Sequence, residues 1–161
     1  MIESTEITIR KAILADVLKV LELYGHQIEY HLQFDSCWDL SWPNTAAATE
    51  RIEKYVKEAD RFLIVAEIES EVVGYLMGSL LQGHPASTAK KVAELDSMHV
   101  LESIRRRQVG RKLVDEFLSH CKQSGVDRIK LDVTSANGPA IAFYKSLGFG
   151  DYSSILTMDL R

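Results

Sequence analysis

Three apolar segments in the middle of the chain constrain its fold more than any other feature. Residues 62–68, Phe-Leu-Ile-Val-Ala-Glu-Ile, form a compact apolar run that reads as a buried strand. The polar triplet Glu69-Ser70-Glu71 makes a tight turn, and residues 72–81, with Gly74 and Gly78, continue as a second strand. The pair reads as an antiparallel hairpin. A polar loop over 83–91, containing Pro85, leads to a third strand at 92–101. Helical periodicity lies on both sides of this block, so the strands need helices to cover them.

Before the block, Ile7 and Ile9 alternate with polar residues as a short strand. Asp16 offers an N-cap, and Val17, Leu21, Tyr24, Ile28 and Leu32 follow at helical spacing. Asn44 or Thr45 can cap a second helix carrying Ile52, Tyr55, Val56 and Ala59. After the block, Val109, Leu113, Phe117, Leu118 and Cys121 make a helical stripe that Gly125 can end. Ile129, Leu131 and Val133 alternate as a strand, Pro139 suits the first turn of a short helix, and Gly148 can close it. Tyr152, Ser154, Leu156, Met158 and Leu160 alternate as a closing strand. The order β-α-α-β-β-β-α-β-α-β implies one domain over 1–161, a mixed sheet covered by helices.

The loop between the third strand of the block and the next helix carries Arg105, Arg106, Arg107, Gln108, Val109, Gly110, Arg111 and Lys112. Unpaired N–H groups at a helix N-terminus, aligned with the helix dipole, favour an anion. A glycine at 110 lets the backbone approach a phosphate closely. The arrangement suits a pyrophosphate. A solvated charge run and a nucleic-acid patch are the alternatives, and the net charge of −4 argues against a nucleic-acid partner.

Arg105, Gln108 and Gly110 stand in the frame R/Q-x-x-G-x-G/A of the phosphate loop in GNAT acetyltransferases, which this chain resembles. Gln108 replaces the first glycine of that frame, and Arg106 stands where many members have another. Gln108 must then adopt glycine-like backbone angles, or the loop must shift. A second element, Asn137-Gly138-Pro139-Ala140-Ile141-Ala142-Phe143-Tyr144-Lys145-Ser146-Leu147-Gly148-Phe149, is similar to the family's N-x-x-A-x-x-F-Y-x-x-x-G-F. The resemblance implies an α/β (α+β) fold with a twisted, mixed, mostly antiparallel sheet, its fourth and fifth strands splayed. It implies an acetyl-CoA-dependent N-acetyltransferase that needs no metal.

The same resemblance implies the site. Met98, His99 and Val100 would bond the pantetheine arm as an added strand would. Arg105, Arg106, Arg107, Gln108, Val109, Gly110 and Arg111 would hold the pyrophosphate, with Asn137, Ala140 and Tyr144 on the other wall. An amine would attack the thioester directly in a ternary complex. A lysine-like amine with a pKa of ~10.4 must lose a proton first, and Asp96 is the candidate base, with a hydrogen-bonded structural carboxylate at a bulge as the alternative. Tyr144 is the candidate proton donor to the leaving thiolate, with a core aromatic as the alternative. His99 reads as a packed polar residue.

Glu29, Asp35 and Asp39, beside aromatics, suit a cationic acceptor: a small amine, a polyamine or a peptide amine. Two rivals remain, an acyl-CoA-binding sensor without turnover and a nucleic-acid-binding module. His26, His31 and Cys37 make only a weak metal pattern. The N-terminus lacks the apolar core of a signal peptide, no apolar run reaches membrane-spanning length, and Cys37 and Cys121 read as free thiols. The expectation is a cytoplasmic protein with no membrane partner, able to form a homodimer.

Overall fold

A computed structural model describes residues 6–160 of the chain. The elements run β1 (Thr8–Lys11), α1 (Val17–His31), α2 (Ala46–Lys57), β2 (Arg61–Ile68), β3 (Glu71–Gln82), β4 (Lys91–Val100), α3 (Val109–Gln123), β5 (Arg128–Leu131) and α4 (Gly138–Ser146). Short 3-10 turns precede α1, α2 and α3. One five-stranded sheet has the order β1-β2-β3-β4-β5. The first four strands pair antiparallel, and β4 pairs β5 in parallel across the α3 crossover.

Helices on both faces explain the unbroken apolar run in β2. Leu63 and Val65 point to the α1/α2 side, where Val20, Leu23, Ile52, Tyr55, Tyr75 and Met77 pack. Phe62, Ile64, Ala66 and Ile68 point to the α3 side, against Leu76, Leu113, Val114 and Phe117. Gly78 permits the closest of these contacts, since a Cβ there would lie 2.4 Å from the Phe117 ring. Two bulges shift the alternation. One, in β3, sets Val73 between the pairs Ala66↔Gly74 and Glu67↔Val72. The other, in β4, sets Asp96 between Met77↔Ser97 and Gly78↔Leu95.

Of the two candidates Asn44 and Thr45, it is Thr45 that caps α2, its hydroxyl accepting the Ala48 N–H at 3.2 Å. Asp16 does other work than capping α1. Its carboxylate accepts the Ile13 N–H at 2.8 Å and pairs with Arg10, which also reaches Glu67 of β2. The closing strand expected over 152–160 does not form: residues 150–160 adopt no regular structure, and their side chains are exposed. β5 also stops at Leu131, two residues before the expected Val133.

Candidate active site

The parallel pairing of β4 with β5 ends at Leu95↔Leu131, but β4 continues to Val100. Five residues of β4, from Asp96 on, therefore have no strand beside them on that edge. A cleft of about 650 Å³ opens there. Met98, His99 and Val100 line it, Gln27, Tyr30 and His31 of α1 form one wall, and Pro139, Ala140, Phe143 and Tyr144 of α4 form another. This is the splay that the sequence resemblance implies, and it arises because β5 is short.

One end of the cleft meets the N-terminus of α3. Arg106 and Gln108 both adopt left-handed backbone, with φ of 67° and 63°. Gln108 thus adopts the left-handed conformation that glycine takes readily. Among the described residues, none of the main-chain N–H groups of 106–111 donates to a protein acceptor; the ladder resumes only at Lys112 N–H to Gln108 O, 3.0 Å. Such a row of free donors at a helix N-terminus is an anion nest. Arg105, Arg106, Gln108, Val109, Gly110 and Arg111 line the cleft here, and Arg107 does not. Arg105 is also partly committed: its Nε donates to Val100 O at 3.2 Å, and its guanidinium lies 5.3 Å from the Tyr30 ring centroid.

Left-handed backbone costs a residue with a side chain about 1 kcal/mol or more. Gln108→Gly is therefore expected to leave CoA affinity unchanged or tighten it by less than about fivefold, or ~1 kcal/mol. Titration calorimetry with CoA measures this. A clear loss of affinity would mean the Gln108 side chain itself holds the ligand.

Asp96 is the hydrogen-bonded carboxylate at a bulge that one of its two sequence readings gives. It is the bulged residue of β4, and its Oδ2 accepts the Tyr55 hydroxyl at 3.0 Å and the Ser79 hydroxyl. Oδ1 has no described protein partner, and the residue is exposed to the cleft it lines. Crowding by the cleft walls strips water from the carboxyl and raises its pKa above the usual 3.8, against the lowering by Ser79 and Tyr55. A carboxylate fixed by one oxygen and free at the other is suited to receive a proton.

Tyr144 lies between Phe143 and Phe149, with ring centroids 5.2 and 5.8 Å away. Burial pushes its phenol up to about 12. No described residue bonds to its hydroxyl, which belongs to a cleft-lining side chain. Asn137 caps α4: its Oδ1 accepts the Ala140 N–H at 3.3 Å and the Tyr30 hydroxyl at 3.2 Å. Only its amide NH₂ is left to meet a ligand. His99 is buried, 6.3 Å from the His26 ring, and burial brings its imidazole down to about 4, with Arg105 adding to the effect. It is neutral at physiological pH, as a packed polar residue.

Sequence reasoning missed the α1 wall. Gln27 accepts from Tyr75 and from Ser97 (2.7 Å), joining α1 to β3 and β4. Tyr30 and His31 stand three and four residues after Gln27 on α1, the i, i+3, i+4 relation that is the one sequence signal able to group them. The acidic residues expected to face the acceptor do not line the cleft. Asp35 accepts the Cys37 N–H, Asp39 accepts from Ser41, and Glu29 is exposed. The carboxylates that line it are Asp96 and Asp132. Among the described residues, no helix is long and apolar enough to cross a membrane.

The model of the acetyltransferase (GNAT) family matches residues 28–149. An N-alpha-acetyltransferase of Sulfurisphaera tokodaii is 34% identical over 101 residues, 60% of each chain, so this chain aligns with little more than half of that relative's length. A mutant of the BH1408 protein of Bacillus halodurans superposes with a TM-score of 0.86 at 25% identity, covering 96% of this chain and 99% of that one. The aminoglycoside N-acetyltransferase AAC(6')-Iy in complex with CoA has a TM-score of 0.78 at 15% identity, covering 100% and 99%. The last likeness is one of fold.

Proposed function

The chain belongs to the GNAT acetyltransferase family, and from that premise we propose that it transfers the acetyl group of acetyl-CoA to a primary amine by direct attack. The observation that carries the proposal is the continuity of the cleft. It runs from the free N–H groups at 106–111, along the unpaired stretch of β4, to Asp96 and Tyr144.

In this reading the 106–111 backbone receives the pyrophosphate, and Arg106 and Arg111 add attraction at longer range. The open edge of β4 at Met98, His99 and Val100 receives the pantetheine amides as an added strand, with the Asn137 NH₂ opposite. Gly110 at the helix start lets the backbone approach the phosphates, and Ala140 on α4 leaves room for the arm. Asp96 Oδ1 takes a proton from the attacking amine, directly or through water. The Tyr144 hydroxyl donates a hydrogen bond to the sulfur as the C–S bond breaks. Holding both reactants in one cleft supplies much of the remaining rate.

The acceptor is an amine whose identity the cleft leaves open. Peptide α-amines, polyamines and small amines make different demands on Asp96. An α-amino group, with a pKa of ~7.7–8.0, is roughly a quarter neutral near pH 7.4, whereas a lysine-like amine at ~10.4 is neutral only about one part in a thousand. The name of the Sulfurisphaera relative puts peptide N-termini in the test set. A panel of all three classes, followed by acetyl-CoA-dependent thiol release and mass spectrometry of the product, is expected to identify an acetylated amine. CoA binding without thiol release for any amine would favour a sensor without turnover. Failure to bind CoA would remove the proposal.

A further inference from the structure

We propose that the acceptor is a peptide-like amine that also bears a carboxylate, and that Arg51 of α2 receives this carboxylate in a second pocket beside the cleft. The proposal rests on the acetyl-transfer reading of the cleft and names a class of acceptor for it.

The second pocket is a cavity of about 340 Å³ beside α2, lined by Trp42, Glu50, Arg51, Lys54, Tyr55 and Arg61. Its aromatic walls are held in place. Trp42 packs on Tyr24, with ring centroids 5.3 Å apart. The Tyr55 ring is buried, with the Arg61 and Arg51 guanidinium carbons 4.9 and 5.9 Å from its centroid. A planar guanidinium against an aromatic wall is pre-organised to receive a carboxylate through two parallel hydrogen bonds.

The pairing of charges singles out Arg51. On α2, Lys54 pairs with Glu50 at 3.2 Å and Lys57 pairs with Glu53. Arg61, at the start of β2, pairs with Glu58 at 2.7 Å. Arg51 is the one charged residue of α2 in no ion pair. An exposed arginine on a helix is ordinary by itself. This one lines a cavity with two aromatic walls, and its neighbours there have used up their own carboxylates.

Tyr55 joins the pocket to the reacting centre. Its side chain lines the pocket, its hydroxyl donates to Asp96 Oδ2 at 3.0 Å, and Asp96 lines the cleft. One tyrosine side chain therefore separates Arg51 from the carboxylate that takes the proton of the amine. Burial raises the pKa of Asp96 and of Tyr55, and Arg51 opposes the rise in both, as a cation within electrostatic reach does. Two or three residues of extended peptide, at roughly 3.3–3.6 Å each, cover such a span. Asp96 at one end and Arg51 at the other complement a molecule with an amine at one end and a carboxylate further along. Asp35 and Asp39, expected to draw a purely cationic acceptor, are taken up by their own turns.

Matched acceptors with the same N-terminal alanine test this. Ala-Glu-Gly-Gly-amide against Ala-Gln-Gly-Gly-amide probes a side-chain carboxylate, and Ala-Gly-Gly acid against its amide probes a terminal one. Thiol release gives kcat/KM for each, and calorimetry of the same peptides with the CoA-loaded protein reads binding without turnover. The acid of at least one pair is expected to exceed its amide by about tenfold, or ~1.4 kcal/mol, chiefly through KM. In Arg51→Gln the ratio should fall to about twofold, the remainder coming from Lys54 and Arg61. In Arg51→Glu the acid should become the poorer substrate, and CoA affinity in both variants reports that they are folded. A preference for the acid that persists in both variants overturns the proposal, as does wild-type protein that binds acid and amide equally or binds neither. Failure of acetyl transfer itself has a different signature: the acid is bound preferentially through Arg51, and no thiol is released.

Discussion

Tyr144→Phe is expected to lower kcat by roughly ten- to a thousand-fold while CoA affinity stays within about threefold, or ~0.7 kcal/mol. The substitution keeps the ring, and so keeps the packing between Phe143 and Phe149. Only the hydroxyl is lost, and no described residue depends on it. Burial holds the phenol at about 12, so it is protonated at every working pH. That makes Tyr144 a constant hydrogen-bond donor and also a weaker acid than free tyrosine. Against a thiol of pKa ~8.5 the gap is roughly 3.5 units, about 5 kcal/mol uphill for complete transfer. The gain therefore lies in the hydrogen bond to sulfur as charge builds there, with the proton following late. Steady-state thiol release with the best amine of the panel, beside calorimetry with CoA, measures both quantities. Full activity in the Phe variant would make Tyr144 a packing residue and place the donor elsewhere.

The parts of the site that could be read from the chain are those encoded locally. The helix start after Gln108 and, through the family resemblance, its place at a glycine position and the Asn137–Tyr144 spacing each concern neighbouring residues, and of the two outcomes open to Gln108 the structure takes the left-handed φ. The partners of Asp96 were hidden because they come from afar. Tyr55 is 41 residues away and Ser79 is 17, and no periodicity relates a helix position to a bulge three strands later. The Tyr30 to Asn137 bond spans 107 residues. Tyr55 illustrates the difficulty: its ring belongs to the buried stripe of α2, as its spacing says, and its hydroxyl emerges at the carboxylate of β4. The tail fails in the opposite way. Its alternation specifies a strand, but a strand forms only where an edge accepts it, and the edge is not part of the local pattern. The acidic residues Asp35 and Asp39 are likewise absorbed by their own turns, a use that charge counting does not reveal.

Asp96→Asn is expected to lower kcat/KM near neutral pH by about 10²–10⁴-fold with a lysine-like amine, and by less with an α-amine that is already partly neutral. The amide can still accept from Tyr55 and Ser79 through its oxygen, so the bulge of β4 should hold. The pH profile separates a base from a structural carboxylate. Because the folded pKa of Asp96 is raised from 3.8, by burial first, the wild-type acid limb should lie above that of an unperturbed aspartate, and activity should fall as pH drops through it. In the variant that limb should vanish, and the deficit should shrink as pH rises toward the pKa of the amine, where the substrate loses its proton unaided. Stability should move in the other direction. A carboxyl whose pKa is raised on folding stabilises the protein most when protonated, and that contribution is lost as pH rises through the folded pKa. Asn, uncharged throughout, should leave the melting temperature at neutral pH unchanged or higher. Thermal melts and the pH dependence of kcat/KM, measured on the same preparation, test the two signs together. A variant that melts lower and loses activity equally at every pH would show Asp96 to be a brace for the Tyr55–Ser79 contact, with the proton leaving the amine by another route.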